Sequence, residues 1–85
     1  MLTGPLTVYT VLKWIAEGQQ WINTAAEECV IDLADVSSID SAGIALLLSW
    51  KRYAAQQKKK LLLINRPAKL QSMLELYGLN TVFAQ

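Results

Sequence analysis

Histidine is absent from the 85 residues, and cysteine occurs once, at Cys29. No Cys/His zinc site, no Ser-His-Asp or Cys-His catalytic pair and no intramolecular disulfide can be assembled from that inventory. A lone cysteine at the head of an apolar run reads as a small core residue. Charge is sparse as well, at 18% of residues, with eight Lys/Arg against seven Asp/Glu and a formal net charge of +1. Such a chain lacks the dense cationic footprint that a phosphate backbone requires, which argues against nucleic acid as a partner. The longest uninterrupted apolar runs, 44–48 and 61–64, fall far short of the roughly 20 residues that span a bilayer, so no membrane insertion is expected. Residues 1–14 carry no basic segment ahead of an apolar stretch and include Gly4 and Pro5 early. They do not read as a secretory signal, and a reducing cytosol is the expected compartment.

What the chain does have is apolar content. At 53% hydrophobic residues it is far too apolar for a disordered segment, and its length makes one domain. A domain of this size buries only about 60% of the surface its unfolded chain exposes, so apolar side chains serve the core or a partner contact. The Gly4-Pro5 turn signal ends a short strand over 1–3. Thr7 or Thr10 can then cap a helix in which Val8, Val11, Leu12 and Ile15 recur at helical spacing, with Trp14, Trp21 and Ile22 extending the stripe toward Asn23. Gly18 weakens that helix by about 1 kcal/mol relative to Ala, which predicts an end or break near it. Residues 29–33 read as a buried strand. Residues 34–40 read as a loop whose side chains bond their own backbone. From Ser41 the pattern is helical as far as Gln56-Gln57, where Lys58-Lys59-Lys60 place positive charge at the negative dipole end. That basic run reads as a solvated turn rather than a phosphate or lipid patch. Residues 61–65 read as a second strand with apolar residues on both faces, like a parallel strand covered by helices. Pro67 suits the first turn of a third helix along which Leu70, Met73, Leu74 and Tyr77 repeat, with Gly78 as its C-cap. A last short strand is expected over 81–84. This alternation predicts an α/β layer fold, a small sheet with helices on one side.

The segment 30–43 is the most informative. It reads as a strand, a turn and a helix start whose first residues are Asp40, Ser41, Ala42 and Gly43. Asp40 or Ser41 at the cap position can accept a bond from an orphan backbone N–H. Ala42 and Gly43 leave the helix N-terminus uncovered, so another surface can approach it. Taken alone, this is a well-capped helix. Beyond it, at about 100° per residue, Ile44, Leu47, Leu48 and Ala55 point one way as a core face, while Leu46, Trp50 and Tyr53 point another. Trp and Tyr are enriched where proteins bury an anchor against a partner, so the second stripe reads as an interface. Packing of Trp50 and Tyr53 under the first helix is the competing reading. Glu27 and Glu28 read as a solvated loop, and Asp32 and Asp35 as turn residues satisfying backbone donors rather than binding metal. No acid–base or nucleophile–base pair is visible, so an enzyme is not expected.

Four segments in order, Leu2-Thr3-Gly4-Pro5-Leu6-Thr7, Ile31-Asp32-Leu33, Asp40-Ser41-Ala42-Gly43 with its Leu-rich continuation, and Leu76-Tyr77-Gly78-Leu79, carry a resemblance to the STAS domain family. This fold is shared by anti-sigma factor antagonists and by the small MlaB-type subunit of bacterial phospholipid-trafficking ABC transporters. The resemblance implies a single STAS domain over 1–85, an α/β fold with a small mixed β-sheet and α-helices packed mainly on one face. It also implies a non-enzymatic interaction module without cofactor or metal. Its partner would be the ATPase subunit of a lipid-transport ABC complex, bound through Asp40, Ser41, Ala42, Gly43, Leu46, Trp50 and Tyr53. The protein would then be cytoplasmic and peripherally associated with an inner-membrane transporter. The alternative is an anti-sigma factor antagonist that binds a serine kinase through the same helix start.

One position separates the two branches. In kinase-switched antagonists the phosphorylated hydroxyl belongs to the residue just before the glycine, and here that residue is Ala42, which cannot carry a phosphoryl group. The resemblance therefore favours the transporter branch, where Ser41 sits at the ATPase contact. Ser41 keeps a hydroxyl one position earlier and is the candidate phosphorylation site. A Walker-type glycine loop is missing, so any ATP belongs to the partner. Family members usually place one more strand ahead of the segment matching 2–7. An open edge there would favour pairing with another chain, including a homodimer.

Overall fold

The computed structural model describes residues 2–83. Along them run β1 (Gly4–Leu6), α1 (Val11–Thr24), β2 (Glu28–Asp32), β3 (Val36–Ile39), α2 (Ser41–Gln56), β4 (Lys60–Ile64) and α3 (Ala68–Leu76). The strands form two parallel pairs, β1 with β3 and β2 with β4. The β2–β4 register is unbroken from Glu28 opposite Lys60 to Asp32 opposite Ile64. Between β1 and β3 the register shifts at Gly4 and Pro5. Gly4 takes φ +75° and its N–H donates to Asp35 O at 2.9 Å. The Gly4-Pro5 pair therefore opens a strand at an irregularity instead of closing one, a role that suits glycine's tolerance of positive φ. Of the strand expected over 1–3, Met1 lies outside the described residues.

Three further expectations are corrected. Residues 36–39, read as loop, form β3, with Val36 and Ile39 buried and Ser37 and Ser38 exposed. A four-residue strand with two serines shows no local signal; its pairing with β1 decides it. Residues 81–83 form turns, not a strand, and Ala84 lies outside the described residues. Phe83 is nevertheless core. Finally, β4 is not covered on both faces. Leu61 and Leu63 are buried beside Cys29 and Ile31 of β2, whereas Lys60, Ile64, Glu28 and Val30 are exposed. The helices cover one side of the sheet only. Burial also pushes the Cys29 thiol above its usual pKa, with nearby Lys59 opposing, in keeping with a core cysteine.

The core is set by how α1 lies on α2. Trp50 is 1% exposed, and its ring fills the space a side chain at position 18 would take. A Cβ on Gly18 would come within 1.9 Å of Trp50 Cε2 and 2.1 Å of Cζ2. Gly18 thus breaks nothing, and α1 runs through it, because the missing side chain admits the indole. Trp21 lies edge-on to Trp50 with centroids 5.8 Å apart, and Trp14 follows at 6.1 Å from Trp21. Trp50 Nε1 donates to Ile15 O at 3.4 Å. The far end of α1 is tied down too. Lys59 Nζ donates to Ile22 O and Asn23 O at 2.8 and 3.0 Å, capping the last carbonyls of the helix, so this lysine of the basic run is a structural donor. At the C-terminus of α3, Gly78 adopts φ +69° and Leu79 N–H reaches back to Leu74 O at 2.7 Å, the closure expected from glycine past a helix end.

Gly18→Ala separates propensity from packing. On propensity alone the substitution gains about 1 kcal/mol, whereas overpacking against Trp50 costs typically about 1–3 kcal/mol. Urea unfolding is expected to show net destabilisation; a stabilised variant would contradict this packing of α1 on α2.

Candidate functional site

The N-terminus of α2 is built by Asp40. Its extended backbone, φ −124° and ψ −172°, turns the chain from β3 into the helix. Oδ1 accepts from Ala42 N at 2.9 Å and Gly43 N at 3.1 Å, satisfying two first-turn donors. Oδ2 accepts from Val8 N at 3.0 Å, 32 residues away in sequence. One carboxylate thus holds the loop after β1 against the start of α2. Gly43 makes the approach possible: a Cβ there would sit 2.3 Å from Leu6 O and 2.8 Å from Ile39 Cγ1. Asp40 N–H adds a bond to Leu6 O at 3.3 Å. The loop is braced from its other side by Thr10, whose hydroxyl donates to Pro5 O at 2.8 Å and accepts from Thr7 N at 3.0 Å. Thr10 precedes α1 but gives that helix no side-chain cap bond.

These bonds favour the ionised form of Asp40. The Val8 N–H lowers its pKa most, burial opposes, and the N–H groups of Gly43 and Ala42 and the charge of Lys69 lower it further. Asp32 is lowered by the Ala34 N–H and by Asn65 Nδ2. A carboxyl with a lower pKa folded than unfolded contributes stability above its unfolded value and loses it as pH falls through the folded value. Asp40→Asn is therefore expected to be less stable than the parent at neutral pH, with a gap that narrows in acid below the ordinary carboxylate range of about 4. Thermal melts of both proteins across that range check this; a gap that stays constant with pH would contradict it.

Of the seven expected contact residues, the structure brings Asp40, Ser41, Ala42 and Gly43 together at the helix start. Ser41 is exposed, Ala42 half-buried and Gly43 buried. Leu46 and Trp50 are corrections. Both are buried: Trp50 lies inside the seam with α1, and Leu46 shows only an edge among the residues that line a cleft between the two helices. Tyr53 is half-buried, with its hydroxyl donating to Asn23 Oδ1 at 2.8 Å. The stripe read as an interface is the seam between α2 and α1, while Ala55, assigned to the core face, is exposed.

Much of the exposed apolar surface lies instead on the loop after β1 and on α1, where Val8, Leu12 and Ile15 were expected only as part of an apolar helical stripe. Tyr9 is 94% exposed, Leu12 81% and Val8 59%, and Ile15 also reaches solvent. A shallow cleft of about 280 Å³ runs between α1 and α2, lined by Val11, Ile15, Ala42, Ala45, Leu46 and Ser49. A signal for this was present. Trp14, Gly18, Trp21 and Ile22 share one side of α1, and at about 100° per residue Leu12 falls on a different side. Small residues on the facing turns of α2 leave the cleft open.

The fold has solved counterparts. A Thermotoga maritima protein described as an anti-sigma factor antagonist superposes with a TM-score of 0.78 at 20% identity, covering 96% of this chain and 71% of its own. The anti-sigma factor antagonist SpoIIAA in its unphosphorylated form gives 0.68 at 21% identity, covering 88% and 69%. Likeness at that identity establishes the fold. No curated protein matches the sequence. Residues 1–84, however, match the family model for the MlaB STAS domain, and the chain belongs to the STAS domain family.

Proposed function

We propose that the protein is a non-enzymatic STAS subunit that docks on the ATPase of a lipid-transport ABC complex and biases its assembly or activity. The docking face is the start of α2, exposed Ser41 between half-buried Asp40 and Ala42, with Val8, Tyr9, Leu12 and Ile15 beside it. The observation that carries this reading is the apolar surface next to a helix start of small residues. A contiguous exposed apolar patch beside a cleft marks an interaction surface more often than chance exposure does. The MlaB-type family match supports the choice of partner. A bound subunit shifts an ATPase only through unequal affinity for its conformations, and a face held rigid by Asp40 and Gly43 is suited to reading such a difference.

Exposure of the Ser41 hydroxyl and likeness to anti-sigma factor antagonists support a second reading, partner switching under a serine kinase. The electrostatics disfavour it. A phosphate on Ser41 would stand beside the Asp40 carboxylate, which already occupies the Ala42 and Gly43 donors.

Ser41→Arg and Leu12→Asp place charge on the docking face at exposed positions. Each is expected to lower capture of the ATPase subunit by about tenfold or more, roughly 1.4 kcal/mol, with an unchanged melting temperature. Arg52→Ala, on the exposed side of the same helix, should bind as the parent does. Undiminished capture by both charged variants would contradict the docking face. Phosphate incorporation at Ser41 on incubation with a serine kinase, read by intact mass, would favour the second reading.

A further inference from the structure

The end of the molecule that carries Asp40 also carries the start of α3. Strands β2 and β4 run parallel and α2 brings the chain back between them, so α2 starts, and α3 follows, at the C-terminal end of that pair. Lys69, in the first turn of α3, is exposed. Its ammonium is close enough for its charge to be felt at the Asp40 carboxylate. Among the described residues it nevertheless makes no hydrogen bond and no ion pair. Three N–H groups, from Val8, Ala42 and Gly43, already occupy that carboxylate. Local structure does not ask for a cation here either. A helix start favours negative charge, and α3 has no acidic residue in its first turn and no side-chain cap. The surface next to it is otherwise neutral. Only uncharged residues line the cleft between α1 and α2, and Lys13, beside Leu12 on α1, lies over the Trp14 ring at 4.9 Å.

We infer that Lys69 is the charged rim of the docking face, and that the ATPase surface seated there carries an acidic side chain opposite it. This rests on the docking reading above and names the charge that the partner brings to that site. An exposed ion pair adds little affinity. A rim charge acts mainly on the rate of encounter and on which partners are turned away. The apolar residues supply contact area, while Lys69 supplies sign: an acidic surface is drawn in and a basic one is repelled.

The test is the association rate of the ATPase subunit with the immobilised full chain at about 0.1 M and about 1 M salt, where charges are screened beyond about 10 Å and about 3 Å. Lys69→Glu is expected to slow association by about tenfold or more at the lower salt and to approach the parent at the higher. Lys69→Arg should associate as the parent does, and Lys69→Met should fall between the parent and Lys69→Glu. The melting temperature of Lys69→Glu should not fall, because an acid suits the start of α3. A parent-like rate for Lys69→Glu at the lower salt, with Ser41→Arg still excluded, would overturn the role of Lys69 and leave the docking face standing. Slowing that persists undiminished at the higher salt, or faster association of Lys69→Glu, would overturn it as well. Undiminished association of both Ser41→Arg and Leu12→Asp would remove the docking face, and its rim with it.

Discussion

One carboxylate joins the two halves of the proposed docking face. Asp40 ends β3, caps α2 and holds the Val8 amide of the loop after β1, so a helix start and a distant loop share a single anchor. Such a bond works only if the helix can come close to β1, and Gly43 against Leu6 O permits that approach. Asp and Gly three residues apart are therefore explained by packing and capping before any partner is considered. What they leave at the surface is Ser41 and Ala42, short side chains on a rigid first turn. A hydroxyl or a methyl here changes the chemistry offered to a partner without changing the scaffold that presents it.

The second constraint is the seam between α1 and α2. Without a side chain at Gly18 the Trp50 indole sits inside, and Trp14 and Trp21 extend the aromatic contact along α1. Turning that side of α1 inward sends Leu12 outward, with Val8 and Tyr9 on the loop ahead. In a small domain with limited interior, each large residue placed in the core decides which others remain at the surface. The exposed apolar patch and the buried tryptophan are two consequences of one helix orientation.

This explains what was legible in the sequence. The helices, both longer strands and the Asp40 cap follow from patterns within a short window, and the family resemblance follows from local motifs such as Asp40-Ser41-Ala42-Gly43. Strand β3 was not legible because its pairing with β1 is long-range and its two serines look like loop. Burial of the stripe read as an interface had a different cause. Trp50 and Tyr53 fit both an interface and packing under the first helix because aromatic residues serve interfaces as readily as cores, and helix propensity alone gives Gly18 no part in that packing. Reading Gly18 as a place for a ring, beside Trp14, Trp21 and Ile22 on the same side of α1, would have turned Trp50 inward and Leu12 outward. Ser41 and Ala42 are legible at the helix start because capping is a local effect.

The proposed docking face depends on the Asp40 anchor holding the loop and helix together in the free protein. Amide exchange at Val8 reports on it most directly, since this residue lies in an exposed loop and its N–H has the carboxylate as acceptor. Val8 is expected to exchange slowly at neutral pH, comparably with Ala42 and Gly43. Exchange at the rate of an unprotected loop amide, with Ala42 and Gly43 remaining slow, would contradict it.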